Sequence, residues 1–461
     1  MEYVIGIFAV LLALLCFKPV GKNRSRAVYL IYFTIIYNLI IKFLVGNVGL
    51  PSALNYVSDL AMIWILVEYF LQTKGRIKGI PRSMLICGGI LLGLSVISYV
   101  LNRYSPLLYL WGLRINFRFI LFAMMCAVFL EKKDFKILMD ILFGFFLMNV
   151  LVVTYQFFGV TYHTWAKGDF MSGLFSNGLR RGGNPSLTWL CCIVCTYEIL
   201  QYLNRGGRPW RMILAVVGSC YVAALAEIKM IFLLLLIIVV LAVIFGTKSR
   251  RSIGVALLSM ASLYAGIQAL YLLYPAFDGF FLPSAVTKYV TRGDLYPSDP
   301  ELAGGEEANG INRLTAIPYV LENFLHTWSQ KLFGIGLGNA EYSKFSWLTS
   351  DFYRAHGNTR YVFFSTAMVT IELGLVGMAA YCVWFLNYLR KAFFWKTQDP
   401  EEKIVKYTAV IVSLLVFPMI LSNQSLKIET VAFLINGVLA FPFLMTKQEP
   451  EKPADALPKK N

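Results

Sequence analysis

Three histidines, His163, His326 and His356, are the side chains best suited to move a proton near neutral pH. All three lie in polar stretches between long apolar runs. A solvated loop histidine is the plain reading of each. His356 stands above it because of its neighbours, Arg354-Ala355-His356-Gly357-Asn358, directly before an apolar run. The reactive end of a lipid-linked substrate would lie at that height. Arg114 and Arg118 sit four residues apart inside another apolar run, so they share one helix face. An arginine deep in a membrane costs about 2.5–3.5 kcal/mol on insertion scales, and such residues usually face a cavity. Lys42 and Lys229 fall near the same end of their own runs. Together these cations suit a lipid diphosphate, whose oxygens match the planar guanidinium fork. The structural alternative is snorkelling, or an ion pair with Asp59, Glu68, Glu198 or Glu372.

Arg180-Arg181-Gly182-Gly183-Asn184-Pro185-Ser186 leads into a further apolar run. Asn184 and Pro185 read as an N-cap and an N1 proline, after a glycine turn that could approach a ligand closely. A plain loop with two basic residues is an equal reading. Leu332-Phe333-Gly334-Ile335-Gly336-Leu337-Gly338-Asn339 alternates glycine, but a nucleotide loop needs a preceding strand and a βαβ unit. Neither is visible. Asp299-Pro300-Glu301 could offer two carboxylates to a divalent cation, although a solvated turn explains it more simply.

The elements that must position these residues follow from composition. The 461 residues are 58% hydrophobic and 15% charged, against about 25% charged for a soluble domain. That excludes an ordinary cytosolic enzyme, and it excludes disorder. Apolar runs long enough for spanning helices lie at 3–17, 28–45, 54–73, 84–101, 108–130, 137–158, 186–203, 212–226, 229–246, 253–273, 361–389, 407–421 and 428–446. The fold class expected is therefore an all-α polytopic integral membrane protein, with about 13 transmembrane helices and one long outer-face loop. The stretch 211–246 is too long for one crossing, and Glu227 and Lys229 mark its turn. Residues 1–273 then hold spans 1–10, 274–360 the long loop, 361–446 spans 11–13, and 447–461 a disordered cytoplasmic tail.

Lysine and arginine give the orientation. One alternate set of connecting segments carries 26 of them and the other 13, of which 7 lie in the long loop. The basic set belongs inside. That places the N-terminus outside, the C-terminus in the cytoplasm, and every histidine on the outer face. Met1-Glu2-Tyr3 lacks a basic n-region, so the first run reads as an anchor rather than a cleaved signal. The formal charge of +16 does not point to nucleic acid, because most bases flank apolar runs. The eight cysteines all lie within apolar runs, and Cys191-Cys192-x-x-Cys195 reads as small apolar helix residues rather than a metal site.

The order of these features resembles a family. Basic residues lie in a middle span, Arg180-Arg181 precedes a Gly/Pro start to a later span, and Lys229 sits alone at an outer turn. Asn309-Gly310-Ile311-Asn312-Arg313, the glycine run from Phe333, His356 and Glu372-Leu373-Gly374 follow. Over about residues 108–380 the chain is similar to the O-antigen polymerase (Wzy) and O-antigen ligase (WaaL) superfamily of membrane glycosyltransferases. It departs from the ligase pattern at Lys229, where ligases carry arginine, and at His356-Gly357-Asn358, where they carry His-Asn. Both departures favour polymerase.

The resemblance implies a GT-C-like, inverting transfer between undecaprenyl-diphosphate-linked oligosaccharides at the outer face of the bacterial cytoplasmic membrane. His356 would be the catalytic base. Arg114, Arg118, Arg180, Arg181 and Lys229 would bind the leaving diphosphate, with Lys42, Arg313 and Glu372 in support. No metal, cofactor or nucleic acid is expected; the partners implied are the carrier-linked glycans, membrane lipid and a chain-length regulator protein. The alternatives are an O-antigen ligase acting on lipid A-core, and a lipid-linked oligosaccharide flippase or other transporter. Against the transporter stands the lack of a visible internal repeat.

Overall fold

The computed structural model describes residues 25–160, 167–176, 183–246, 250–282, 311, 313–359, 361–427 and 430–446. Among them the regular structure is entirely helical. Nine helices are long and apolar enough to cross a membrane: α1 (Arg26–Gly46), α2 (Val57–Thr73, extended by a 3-10 turn from Ser52), α3 (Arg82–Asn102), α4 (Pro106–Phe129), α5 (Lys132–Gly159), α6 (Asn184–Arg205), α9 (Arg250–Leu273), α13 (Ser365–Phe394) and α14 (Pro400–Ser422). Three shorter apolar helices join them: α7 (Pro209–Leu225), α8 (Lys229–Phe245) and α15 (Ala432–Met445). The stretch 211–246 is thus two helices, and Glu227 in the turn takes a left-handed φ of 57°. The run at 3–17 and the tail lie outside the described residues.

Burial separates centre from periphery. In α6, 89% of the apolar stretch is buried, against 28% in α3. Helix α15 is buried at all 14 positions. At 14 residues it is about 21 Å long, short of the roughly 30 Å hydrocarbon core, but it is walled by protein. The outer helices instead expose apolar side chains, such as Leu60, Ile63, Val67 and Leu71 on α2 and Ile86, Ile90, Val96 and Val100 on α3. In water such a belt would be an aggregation surface; in a bilayer it is the solvent-matched one.

Contacts gather the connecting segments at two ends of the bundle. At one end Asn47 Nδ2 donates to Ser176 O (2.9 Å), Tyr104 OH to Leu337 O (2.7 Å), Tyr274 OH to Leu225 O (2.7 Å) and Ser365 Oγ to Asn423 O (2.8 Å). At the other Gln72 donates to Ser25 Oγ (2.9 Å), Lys132 pairs with Glu402 (2.9 Å) and Arg205 pairs with Glu401. Each of the twelve apolar helices among the described residues runs from one group to the other.

The stretch 274–360 is not a bare loop. Its described part holds α10 (Ala316–Asn323), α11 (Trp328–Phe333) and α12 (Asp351–His356), around a small core of Val320, Leu325, Ile335, Tyr361 and Ile371. This core docks on α13, where that helix breaks at Gly374 (φ 69°). Ile335 N–H donates to Ile371 O (2.8 Å) and Gly336 N–H to Glu372 O (3.1 Å). The loop therefore satisfies carbonyls exposed by the break, the condition for irregular backbone at membrane depth. Alternating glycine is what permits this approach. A Cβ on Gly334 would lie 2.3 Å from the Glu372 backbone, and one on Gly374 2.3 Å from that of Leu332. Helix α6 starts with Gly183 as N-cap rather than Asn184, which is already helical.

Candidate functional site

Arg114 and Arg118 project from the same face of α4 towards Asp59, in the first turn of α2. Arg114 Nε lies 3.2 Å from Asp59 Oδ2, and its Nη2 shares that oxygen. Arg118 Nη1 is 3.6 Å from Asp59 Oδ1. So the ion pair named as the structural alternative does form, with one carboxylate to two guanidinium groups. Arg118 Nε is buried without a hydrogen-bond partner. The Arg114 side chain keeps 26% exposure.

Aromatic rings surround this pair. The Arg114 guanidinium lies 4.4 Å from the Trp111 ring centroid and 4.8 Å from that of Tyr56; Arg118 lies 4.6 Å from Phe119. Such contacts each contribute about 0.5–2 kcal/mol. Tyr56 in turn stacks on Phe345 (6.3 Å), which contacts Trp347 (5.7 Å). The long loop thus reaches the arginine pair through exposed rings. Sequence reading missed these aromatics, because 15% of the chain is aromatic and nothing distinguishes them.

Glu372 occupies a different position. It is buried with Lys427, whose Nζ is 2.5 Å from Glu372 Oε2 and 3.1 Å from Glu341 Oε1. The other Glu372 oxygen accepts the Gly338 N–H at 2.8 Å. Two carboxylates thus share one ammonium in a site closed to solvent. Burial opposes the charge on Lys427, but Glu341 and Glu372 outweigh it and hold the ammonium above the ordinary lysine range. Neither Lys427 nor Glu341 stood out in the sequence; their pairing needs chain segments far apart to meet.

Lys229 opens α8. Its Nζ pairs with Glu227 (3.0 Å) and sits 3.3 Å from the Phe277 ring centroid. Helix α8 packs on α6, α7, α9 and α14, whereas α4 packs on α15, α2, α1 and α3. Lys229 and the arginine pair are therefore carried by different groups of helices. Both belong to the end of the bundle where the long stretch lies.

His356 is the last residue of α12, half-buried between the rings of Phe352 (4.7 Å) and Phe324 (4.8 Å). Ser350 N–H donates to Glu341 O (3.2 Å), and Arg354 Nη2 donates to Ser346 O (2.7 Å). The helix bearing His356 is thus tied to the turn bearing Phe345 and to the segment bearing Glu341. His326 is exposed, and Lys42 and Arg313 are half-buried. His163, Arg180, Arg181, Asn309, Gly310, Asn312, Asp299 and Glu301 lie outside the described residues. Among the described residues no three His, Cys, Asp or Glu side chains come together as metal ligands. Cys191, Cys192 and Cys195 are buried in α6. No family model matches the chain, and no curated protein matches it.

Proposed function

We propose that this protein is a membrane glycosyltransferase that polymerises oligosaccharide repeat units carried on undecaprenyl diphosphate. The observation that carries the reading is the Arg114–Arg118 pair. It has more positive than negative charge, it is partly open, and its Arg114 lies against the rings of Tyr56 and Trp111, with Tyr56 stacked on Phe345 from the loop that also holds His356. Guanidinium groups suit the diphosphate, and aromatic faces suit the apolar side of a sugar ring.

In this reading Asp59 holds the two arginines in place until the lipid diphosphate replaces it. The acceptor hydroxyl on a single repeat unit attacks the anomeric carbon of the growing chain. Its oxygen forms the new glycosidic bond, the bond from that carbon to the diphosphate oxygen breaks, and configuration inverts. His356 takes the hydroxyl proton, and the electron pair leaves on the diphosphate, which Arg114 and Arg118 stabilise. Arg180, Arg181 and Lys229 are further candidates to hold that diphosphate. The site faces outwards across the bacterial cytoplasmic membrane, with about 13 spans in all, the N-terminus outside and the C-terminus inside.

Deleting the gene and resolving surface glycans by size tests the reading. A polymerase mutant still exports one repeat unit, so single units on the final acceptor are the expected result. Wild type should restore long chains and His356→Ala should not. Long chains accumulating on the carrier lipid would instead make the protein a ligase, and units retained inside would make it a flippase.

A further inference from the structure

A groove on the flank of the bundle belongs to no part of the site above. It holds about 620 Å³ between α3, α13, α14 and the end of α8, with Ile86, Phe245, Val383, Leu386, Phe393 and Leu414 in its walls. It opens sideways: Ile86 is 61% exposed and Phe394 72%. From Val383 to Phe394 the helix rises about 16 Å, roughly half of a 30 Å hydrocarbon core. A groove of that reach fits chains from one leaflet, not a crossing element.

The groove continues into a second cavity of about 670 Å³ at the end of α13. The two share Ser83, Asn387, Arg390 and Phe394, and the second adds Lys391, Trp395 and Lys396. Among the described residues its wall carries three cations and no carboxylate. Arg390 and Lys396 are exposed and make no ion pair among the described residues. Asn387 Nδ2 and Trp395 Nε1 are buried donors without an acceptor. Among the described residues the Asn387 and Trp395 donors have no acceptor and Arg390 and Lys396 no carboxylate, and at the mouth of an apolar groove they are complementary to an anion attached to hydrocarbon.

We propose that this groove and its mouth bind one anionic diacyl phospholipid. The chains lie along Val383, Leu386 and Phe393, and the phosphate sits at Arg390 and Lys396. The mouth is at the end of the bundle that also holds the Lys132–Glu402 and Arg205–Glu401 pairs and Arg251, so the lipid comes from the leaflet on that side.

The test is native mass spectrometry of the full-length protein in mild detergent. It is titrated with phosphatidylglycerol, with phosphatidylcholine of the same chains, and with glycerol phosphate. One phosphatidylglycerol should be retained preferentially. The double variant Arg390→Ala, Lys396→Ala should weaken it by about 5-fold per cation removed. Arg390→Lys with Lys396→Arg should keep it, and Leu386→Trp should lose it by filling the groove. Equal retention of the two lipids overturns the proposal, as does unchanged binding in the double alanine variant. Loss of binding in the charge-preserving variant, or competition by glycerol phosphate as strong as by the whole lipid, does so too. The readout is lipid retention, so it stands apart from the glycan chemistry proposed above.

Discussion

The cations divide into those held by one acid and those that hold others. Arg114 shares Asp59 with Arg118 and remains partly open, and in the proposed function it exchanges that partner for the diphosphate. Arg114→Ala should abolish polymer while the protein still inserts, and Arg114→Lys should rescue only in part, because lysine lacks the bidentate fork. Full-length glycan in the alanine variant at matched protein level would return this arginine to a structural role. Lys427 is the opposite case, since it is closed between Glu341 and Glu372. Lys427→Met strands two buried carboxylates and should cost about 3–5 kcal/mol, read as a lower melting temperature in detergent. Glu341→Gln should cost much less, because Glu372 keeps its partner. The pair also sets a direction with pH. The folded state holds the Lys427 proton more tightly than the unfolded chain. Its contribution is then complete below the ordinary lysine value of about 10.4 and lost as pH rises through the higher folded value. Thermal melts should fall more steeply above that pH in wild type than in Glu341→Gln.

At the level of elements, the junction between the glycine run and the broken helix α13 carries the loop. Gly374 combines a left-handed φ with a backbone 2.3 Å from any added Cβ. Gly374→Ala should therefore destabilise by more than the roughly 1–3 kcal/mol of the backbone conformation alone. Gly89, helical with nothing within 4 Å of an added Cβ, is the control. Gly89→Ala should be neutral or slightly stabilising, since alanine is the better helix former. Equal effects in the two variants, measured by thermal melting in detergent, would mean that the loop does not depend on this crossing.

Across the whole molecule, the separation of the bundle into two ends makes the side of each end a measurable quantity. Reporter fusions at Lys133, Arg250 and the tail should give a cytoplasmic signal, and one near Gly305 an outer signal. A cytoplasmic signal near Gly305 would put His356 and the arginine pair on the wrong side for carrier-linked glycans and remove the proposed function at once.

The helical elements were legible in the chain because hydrocarbon thickness constrains their length and composition. Arg26–Gly46, Arg82–Asn102, Pro106–Phe129 and Asn184–Arg205 each lie within a few residues of an apolar run. The turn at Glu227 was legible for the same reason, since a continuous helix over 211–246 would overshoot the bilayer. The four-residue spacing of Arg114 and Arg118 likewise put them on one face before any neighbour was known. Which partner those side chains meet was not legible. Asp59 is one acid among several that the arginines could have reached, and only the packing of α2 against α4 selects it. Lys427, Glu341 and Glu372 come from three separate segments, and the glycine run takes its meaning from a break in α13. Period and length are properties of a segment and can be read along it. Ion pairing and close backbone crossing are properties of neighbours, and those are chosen only when the helices pack.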